Sequence, residues 1–240
     1  MIGSQQRDLV QCTVQCTEVE VFRYATGMAP ANRAVPAQAK RPVGDGGLTR
    51  GHLTRGAIAD AAIGVIEDRG IEHLTMRLLA AELGAGTMTL YTHVRNRDDL
   101  LEAVVERLIS ELDMAGATAR TRGDWRAHLT AVLAAYAELA ARFPRSFELL
   151  ALAPYVEGVV VPHLAGAERA LADAGLGAEN ARAALQIADA FATGFLVVRA
   201  RTVTRSGDAE AADDSHAAAD FARGVRAVLA GVEAEVLGAG

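Results

Sequence analysis

The chain has 240 residues, 51% of them hydrophobic and 22% charged, enough to bury a sizeable core in one large or two modest domains. No apolar run reads as the roughly 18–20 residues of a bilayer span, and the first residues lack the basic start and apolar stretch of a signal peptide, so the expectation is a cytoplasmic protein without a membrane partner. A net charge of −6 argues against unspecific nucleic-acid binding by the whole chain, but residues 40–97 carry eight basic against six acidic side chains, a local +2 that leaves −8 elsewhere.

Residues 1–47 read as a mobile N-terminal arm, because Pro30, Pro36, Pro42 and the run Gly44-Asp45-Gly46-Gly47 interrupt any helical period. Met28 is an alternative start, which would make the first 27 residues upstream sequence. Cys12 and Cys16, four apart in this arm, provide neither a disulfide framework nor a metal site, since no nearby His or Cys completes a ligand set. From Thr54 onward the periodicity is helical. Thr54 suits an N-cap; Ile58, Ala61, Ala62, Val65 and Ile66 mark one face; Gly70 supplies the stop. Thr75 caps a second helix with Leu79 and Leu83 inward, ending at Gly84. A third, from about Gly86 to Val94, has only Leu90 and Val94 placed to face a core. The fourth starts at Asn96, with Asp98 and Asp99 at the positive end of its dipole, and runs amphipathically through Leu112.

Beyond it, "ATARTRGD" reads as a polar link. Asp124 then caps a helix carrying Trp125, Leu129, Val132, Leu133, Tyr136 and Leu139, which ends before Pro144. Shorter helices are expected between Ser146 and Pro154 and from about Val159 to Ala174, followed by a long one from Ala178 to about Thr204. "SGDAEAADD" reads as a loop, and a last helix covers roughly 215–236 with Phe221, Val225, Val228, Leu229, Val232 and Val236. No strand pattern competes. The predicted fold is all-α, with an N-terminal three-helix helix-turn-helix unit at 48–95, a connecting helix at 96–113 and a larger C-terminal helical bundle at 114–240.

The third helix is the anomaly. Thr, Tyr and His are poor or indifferent helix formers, whereas a merely solvated face would favour Glu, Lys, Gln and Ala. Two short helices joined by Gly84-Ala85-Gly86 have the layout of a helix-turn-helix, whose second helix enters the DNA major groove. With Leu90 and Val94 inward, Thr87, Met88, Thr89, Tyr91 and His93 project outward, a set suited to phosphates, base edges and a thymine methyl.

The segment "IADAAIGVIEDRGIEHLTMRLLAAELGAGTMTLYTHVRNRDDLLEAV" resembles the N-terminal DNA-binding domain of the tetracycline-repressor (TetR) family over about residues 52–108, including the Gly70 stop, "LTMRLLAAELG", "TLYTHV" and the basic residue before "DDLL". The resemblance implies that Arg77 reaches a guanine or a phosphate, that Thr87, Met88 and Thr89 sit deepest in the groove, and that Tyr91, His93 and Arg97 bind backbone phosphates. Two positions depart from the family pattern: Gly86 stands where a Ser cap is common, and Met88 where a small or imino residue is common. The resemblance further implies a homodimer on a palindromic double-stranded operator, released by a small-molecule effector held in the C-terminal bundle.

Part of this has support in the residues themselves. Ala184, Ala188 and Ala192, with Gly194 nearby, form a small-residue row on the long helix that would let a partner helix approach, with packing inside the chain against the fourth and fifth helices as the alternative. Tyr136, Phe147, Tyr155, Gln186, Asp189 and Phe195 are the effector-site candidates, drawn from the few aromatic and polar groups of an otherwise Ala, Leu and Val interior; they suit a mostly apolar effector. No cofactor or metal is expected. Two other functions remain open from the residues: an architectural DNA-binding dimer without an effector, and a helical enzyme. The second has little behind it, since HExxH, GxSxG and GxxxxGK[ST] are all missing.

Overall fold

A computed structural model describes residues 53–121, 123–154, 158–206 and 211–238. Among the described residues there is no strand. The N-terminal arm, with Cys12 and Cys16, lies outside them, and residues 52–240 form one compact unit.

Helix α1 (Arg55–Arg69) begins where the Thr54 hydroxyl accepts from the Ala57 amide at 3.1 Å and ends at Gly70, whose φ of 89° suits a residue without Cβ. Its inner face is Ile58, Ala59, Ala62, Ile63, Val65 and Ile66, all buried against α4 (Arg97–Glu111). A single 3-10 turn, Ile71–His73, leads into α2 (Met76–Glu82), capped by Thr75 through the Leu78 amide at 3.2 Å. The exit from α2 is a Schellman turn: Ala85 N–H donates to Ala80 O at 2.9 Å and Gly84 N–H to Ala81 O at 3.2 Å, with Gly84 at φ 60°. Helix α3 (Thr87–Tyr91) follows after Gly86, whose backbone starts it without a side-chain cap. It is shorter than the period suggested, because Thr92 already closes it and the chain turns to reach Asn96.

The "ATARTRGD" stretch is not wholly a link. Its first residues belong to α5 (Met114–Arg120), which Asp113 caps through the Gly116 amide at 2.9 Å. An acidic cap three residues upstream of Gly116 was enough to start a helix in an alanine-rich segment. Helix α6 (Trp125–Arg142) begins as expected at Asp124, which accepts from the amides of Arg126 and Ala127. Then come α7 (Phe147–Ala151), α8 (Val160–Leu171), a wide turn at Ala172–Leu176 with Gly175 at φ 103°, α9 (Ala178–Ser206) and α10 (Ala211–Val232). The last helix thus starts inside the stretch expected to be a loop.

Helix α9 is the centre of the C-terminal bundle and packs against α6, α7, α8 and α10. Ala178–Thr204 is long and apolar enough by length and composition to cross a membrane, contrary to the sequence expectation. Ala184, Ala188 and Ala192 are fully buried within the chain, which corrects their assignment to a partner-facing row: the small side chains let α9 sit close to its own neighbours instead. The large apolar groups α9 leaves exposed are Ile187, Val198 and Val203.

Candidate nucleic-acid interface

What α3 shows outward depends on what it hides. Leu90 and Val94 are both at 0% exposure, beneath α3 and the turn that follows it, and Leu79 of α2 is buried with them. Two anchors at a four-residue spacing fix the rotation of a helix too short to be stable alone. The opposite side then carries Met88 at 78% exposure, Tyr91 at 44%, and an exposed Thr89; Thr87 is half-buried at its start. Thr92 spends its hydroxyl on Thr89 O at 2.6 Å, a local bond that closes the helix.

The basic residues divide by what they already hold. Arg77, exposed near the start of α2, makes no hydrogen bond or ion pair with the described residues, so its guanidinium is available. Arg97 is exposed and donates to the backbone carbonyl of Ile71 at 3.2 Å, leaving its charge uncompensated by a carboxylate. His93 is half-buried. Arg77, Thr87, Met88, Thr89, Tyr91, His93 and Arg97 therefore all lie on α2, α3, the turn that follows α3 and the first turn of α4, within 21 residues of chain.

Sequence reasoning missed the group that holds this surface in register. The sequence places Asp99 as a dipole partner at the start of α4, but the residue is only 7% exposed. It accepts from the Arg95 amide at 2.7 Å and pairs with the Arg55 guanidinium at 2.8 Å, while its own amide donates to the Asn96 side chain at 2.8 Å. Arg55 in turn donates to Asp99 O at 3.0 Å and lies 3.5 Å from His93 O. One carboxylate thus ties the first residue of α1, the exit from α3 and the start of α4. The Arg95 amide, then the guanidinium groups, outweigh burial and hold the carboxyl at about 2. The signal was present in Asn96-x-x-Asp99, which has the N-cap to N3 spacing of a capping box, with the carboxylate reaching back to the Arg95 amide instead of that of Asn96.

A second tie joins α1 to the bundle. The Glu67 carboxylate accepts from the backbone amides of Ser146 at 2.7 Å and Arg145 at 3.2 Å, just before α7, and Arg145 donates back to Glu67 O at 2.9 Å. Glu148 of α7 pairs with Arg201 of α9. Next to these pairs a polar cleft of about 290 Å³ is lined by Arg69, Glu72, Arg145, Glu148, Arg201 and Thr204, among others.

The effector-site candidates do not all meet. Tyr136 stacks at a tilt on the fully buried Phe147 (centroids 4.8 Å apart), and its hydroxyl lies 3.5 Å from Thr193 Oγ1. Burial, with the Asp189 carboxylate nearby, pushes the Tyr136 phenol up; burial pushes Asp189 up to about 6. Tyr136, Phe147 and Asp189 therefore share one interior region. Phe195 belongs to another cluster, with Phe191 and Phe221 at 6.0 and 5.4 Å, on the α9–α10 side. Gln186 is exposed on α9, and Tyr155 lies outside the described residues. No group of three or more His, Cys, Asp or Glu among the described residues is placed to hold a metal ion.

Residues 58–104 match the family model described as bacterial regulatory proteins, tetR family. The HTH-type transcriptional repressor DrrR1 of Streptomyces coeruleorubidus is 36% identical over 80 residues, which are 33% of this chain and 29% of that protein; the match thus spans under a third of the relative's length. Among solved structures, apo ActR from Streptomyces coelicolor is similar with a TM-score of 0.61 and 21% identity, covering 78% of this chain and 98% of that one. BioQ, solved with its natural double-stranded DNA operator, is similar with a TM-score of 0.56 and 24% identity, covering 77% and 100%. These two likenesses show a shared fold across the helix-turn-helix segment and the bundle alike. The segment that builds α1 to α4 is thus the part of the chain that matches the tetR family of bacterial regulatory proteins.

Proposed function

We propose that the protein is a cytoplasmic, sequence-specific DNA-binding repressor that engages a palindromic operator as a homodimer and is released by a small molecule. The observation that carries this reading is the pair Leu90 and Val94, fully buried under a five-residue helix whose other side exposes Met88, Thr89 and Tyr91. The outward side chains stand outside the buried core, and they lie inside the segment that matches the family model. On this reading Thr87, Met88 and Thr89 face base edges, Arg77 reaches a guanine or a phosphate, and Tyr91, His93 and Arg97 hold the backbone. The reading also draws on the name of DrrR1, a transcriptional repressor, and on BioQ's operator complex.

Dimerisation would use the outer side of α9 with α10, where Ile187 and Val198 are exposed and Phe191 and Phe195 are half-buried beside the buried Phe221. Two readers would then sit on one duplex face, about 34 Å or a small multiple apart. The effector would enter the interior around Tyr136, Phe147 and Asp189, with Tyr155, Gln186 and Phe195 as the remaining candidates. Its signal would pass from α9 through Arg201 and Glu148 to α7, and from the Arg145 and Ser146 amides through Glu67 to α1.

The test is selection of bound fragments from a random DNA pool by the full chain. The reading expects an inverted repeat to enrich, with a loss of about 1–3 kcal/mol for each mismatched pair. Uniform affinity across sequences would point instead to an architectural DNA-binding protein.

A further inference from the structure

We infer that Met88 is a C5-methyl reader: it seats against the 5-methyl group of a pyrimidine in the major groove, so that each half-site carries a thymine, or equally a 5-methylcytosine, at the step beneath it. This rests on the DNA-binding reading above and specifies the base chemistry that the reading leaves open.

Met88 is 78% exposed, the most exposed of the large apolar side chains among the described residues. It occupies the second position of α3, between Thr87 and Thr89, on a helix whose rotation is fixed from below by Leu90 and Val94. The side chain therefore does not turn inward with a small adjustment: the inward positions are filled, and α3 enters straight from Gly86 with no capping side chain to displace.

The chemistry narrows the choice of contact. A thioether donates no hydrogen bond and accepts only weakly, so Met88 gains little from the N and O atoms that mark the edges of guanine, adenine and cytosine. The one apolar group that the four ordinary bases present in the major groove is the thymine 5-methyl. An unbranched, polarizable side chain with several rotatable bonds is well suited to follow a methyl group. The neighbouring Thr87 and Thr89 hydroxyls can pair with polar edges on either side, so the three residues divide the work by chemistry. Because 5-methylcytosine carries the same group at the same ring position, the contact distinguishes methylated from unmethylated cytosine as well as thymine from uracil.

The experiment starts from an operator enriched by the full-length protein. Each dT of one half-site is replaced singly by dU, which removes the methyl and keeps the pairing; at the sensitive step, dC and 5-methyl-dC are then compared opposite dG. One dT per half-site is expected to lose about three- to fivefold in affinity as dU, the effect of one buried apolar carbon, and 5-methyl-dC is expected to bind tighter than dC by a similar factor. Met88→Ala should bind dT and dU operators alike at that step, while Met88→Leu should keep the discrimination. An operator indifferent to dU at every position, or a Met88→Ala protein that still discriminates, overturns this inference alone. A pool from which nothing enriches overturns the DNA-binding reading and this inference with it.

Discussion

Replacing Asp99 with Asn isolates the group that ties α1, the exit from α3 and the start of α4. In the folded protein its carboxyl is held at about 2 against an ordinary value of 3.8, chiefly by the Arg95 amide and then by the guanidinium groups of Arg55 and Arg95. That difference corresponds to about 2 kcal/mol of stability. Asn also turns an amide NH₂ toward one of these donors, so a total loss of roughly 2–3 kcal/mol is expected, or a fall of about 5–10 °C in Tm for a chain of this size. The sign with pH follows from the lowered value. The unfolded chain takes up the proton first as pH falls, so the contribution of Asp99 is complete above about pH 5 and fades through 3.8 toward 2. Thermal melts of wild type and Asp99→Asn, followed by circular dichroism from pH 7 to 2, should converge as pH approaches 2. DNA affinity should fall more than helicity, because the exit from α3 loosens first. A Tm difference that stays constant across the pH range would refute the reasoning.

Other expectations follow from single side chains. Arg77→Ala should weaken binding to the selected operator and to scrambled DNA by similar factors and reduce the slope of log affinity against log salt by about 0.9 if the contact is a phosphate; unequal factors would mark a base contact. Leu90→Ala empties a fully buried site and should cost about 2–5 kcal/mol in denaturant unfolding, with loss of operator binding even where the bundle remains folded. Burial raises the Asp189 carboxyl to about 6, so the folded state disfavours its charge and loses stability as pH rises from about 4 to 6. Asp189→Asn should therefore be more stable than wild type above pH 6, by on the order of 1–2 kcal/mol, and equal to it below pH 4. Val198→Glu, at a side chain 66% exposed on α9, should shift sedimentation toward monomer without lowering helix content; an unchanged dimer would remove α9's outer side from the interface.

Local signals in the sequence were enough to place most elements. Thr54, Thr75, Asn96 and Asp124 each cap the helix expected of them, and Gly70 and Gly84 take the positive φ that ends a helix. Leu90 and Val94 were identifiable as anchors because no other α3 residue is aliphatic and inward-spaced. What was not legible depends on contacts distant in sequence. The tie from Arg55 to Asp99 spans 44 residues and that from Glu67 to Ser146 spans 79, and neither partner carries a local mark of the other. The alanine row of α9 shows a second limit: small side chains permit a close neighbour but do not say whether it comes from the same chain. In the bundle, aromatic residues were read as one group, while the fold divides them between Tyr136 with Phe147 and the Phe191, Phe195 and Phe221 cluster.

The central claim is that the outward side of α3 reads bases. Repeating the random-pool selection with Thr89→Ala tests it most directly, because Thr89 is exposed and its loss leaves the buried anchors untouched. The account predicts a consensus relaxed or altered at symmetric positions in both half-sites and unchanged elsewhere. A consensus identical to that of the wild type at every position, recovered likewise with Thr87→Ala and Met88→Ala, would contradict it.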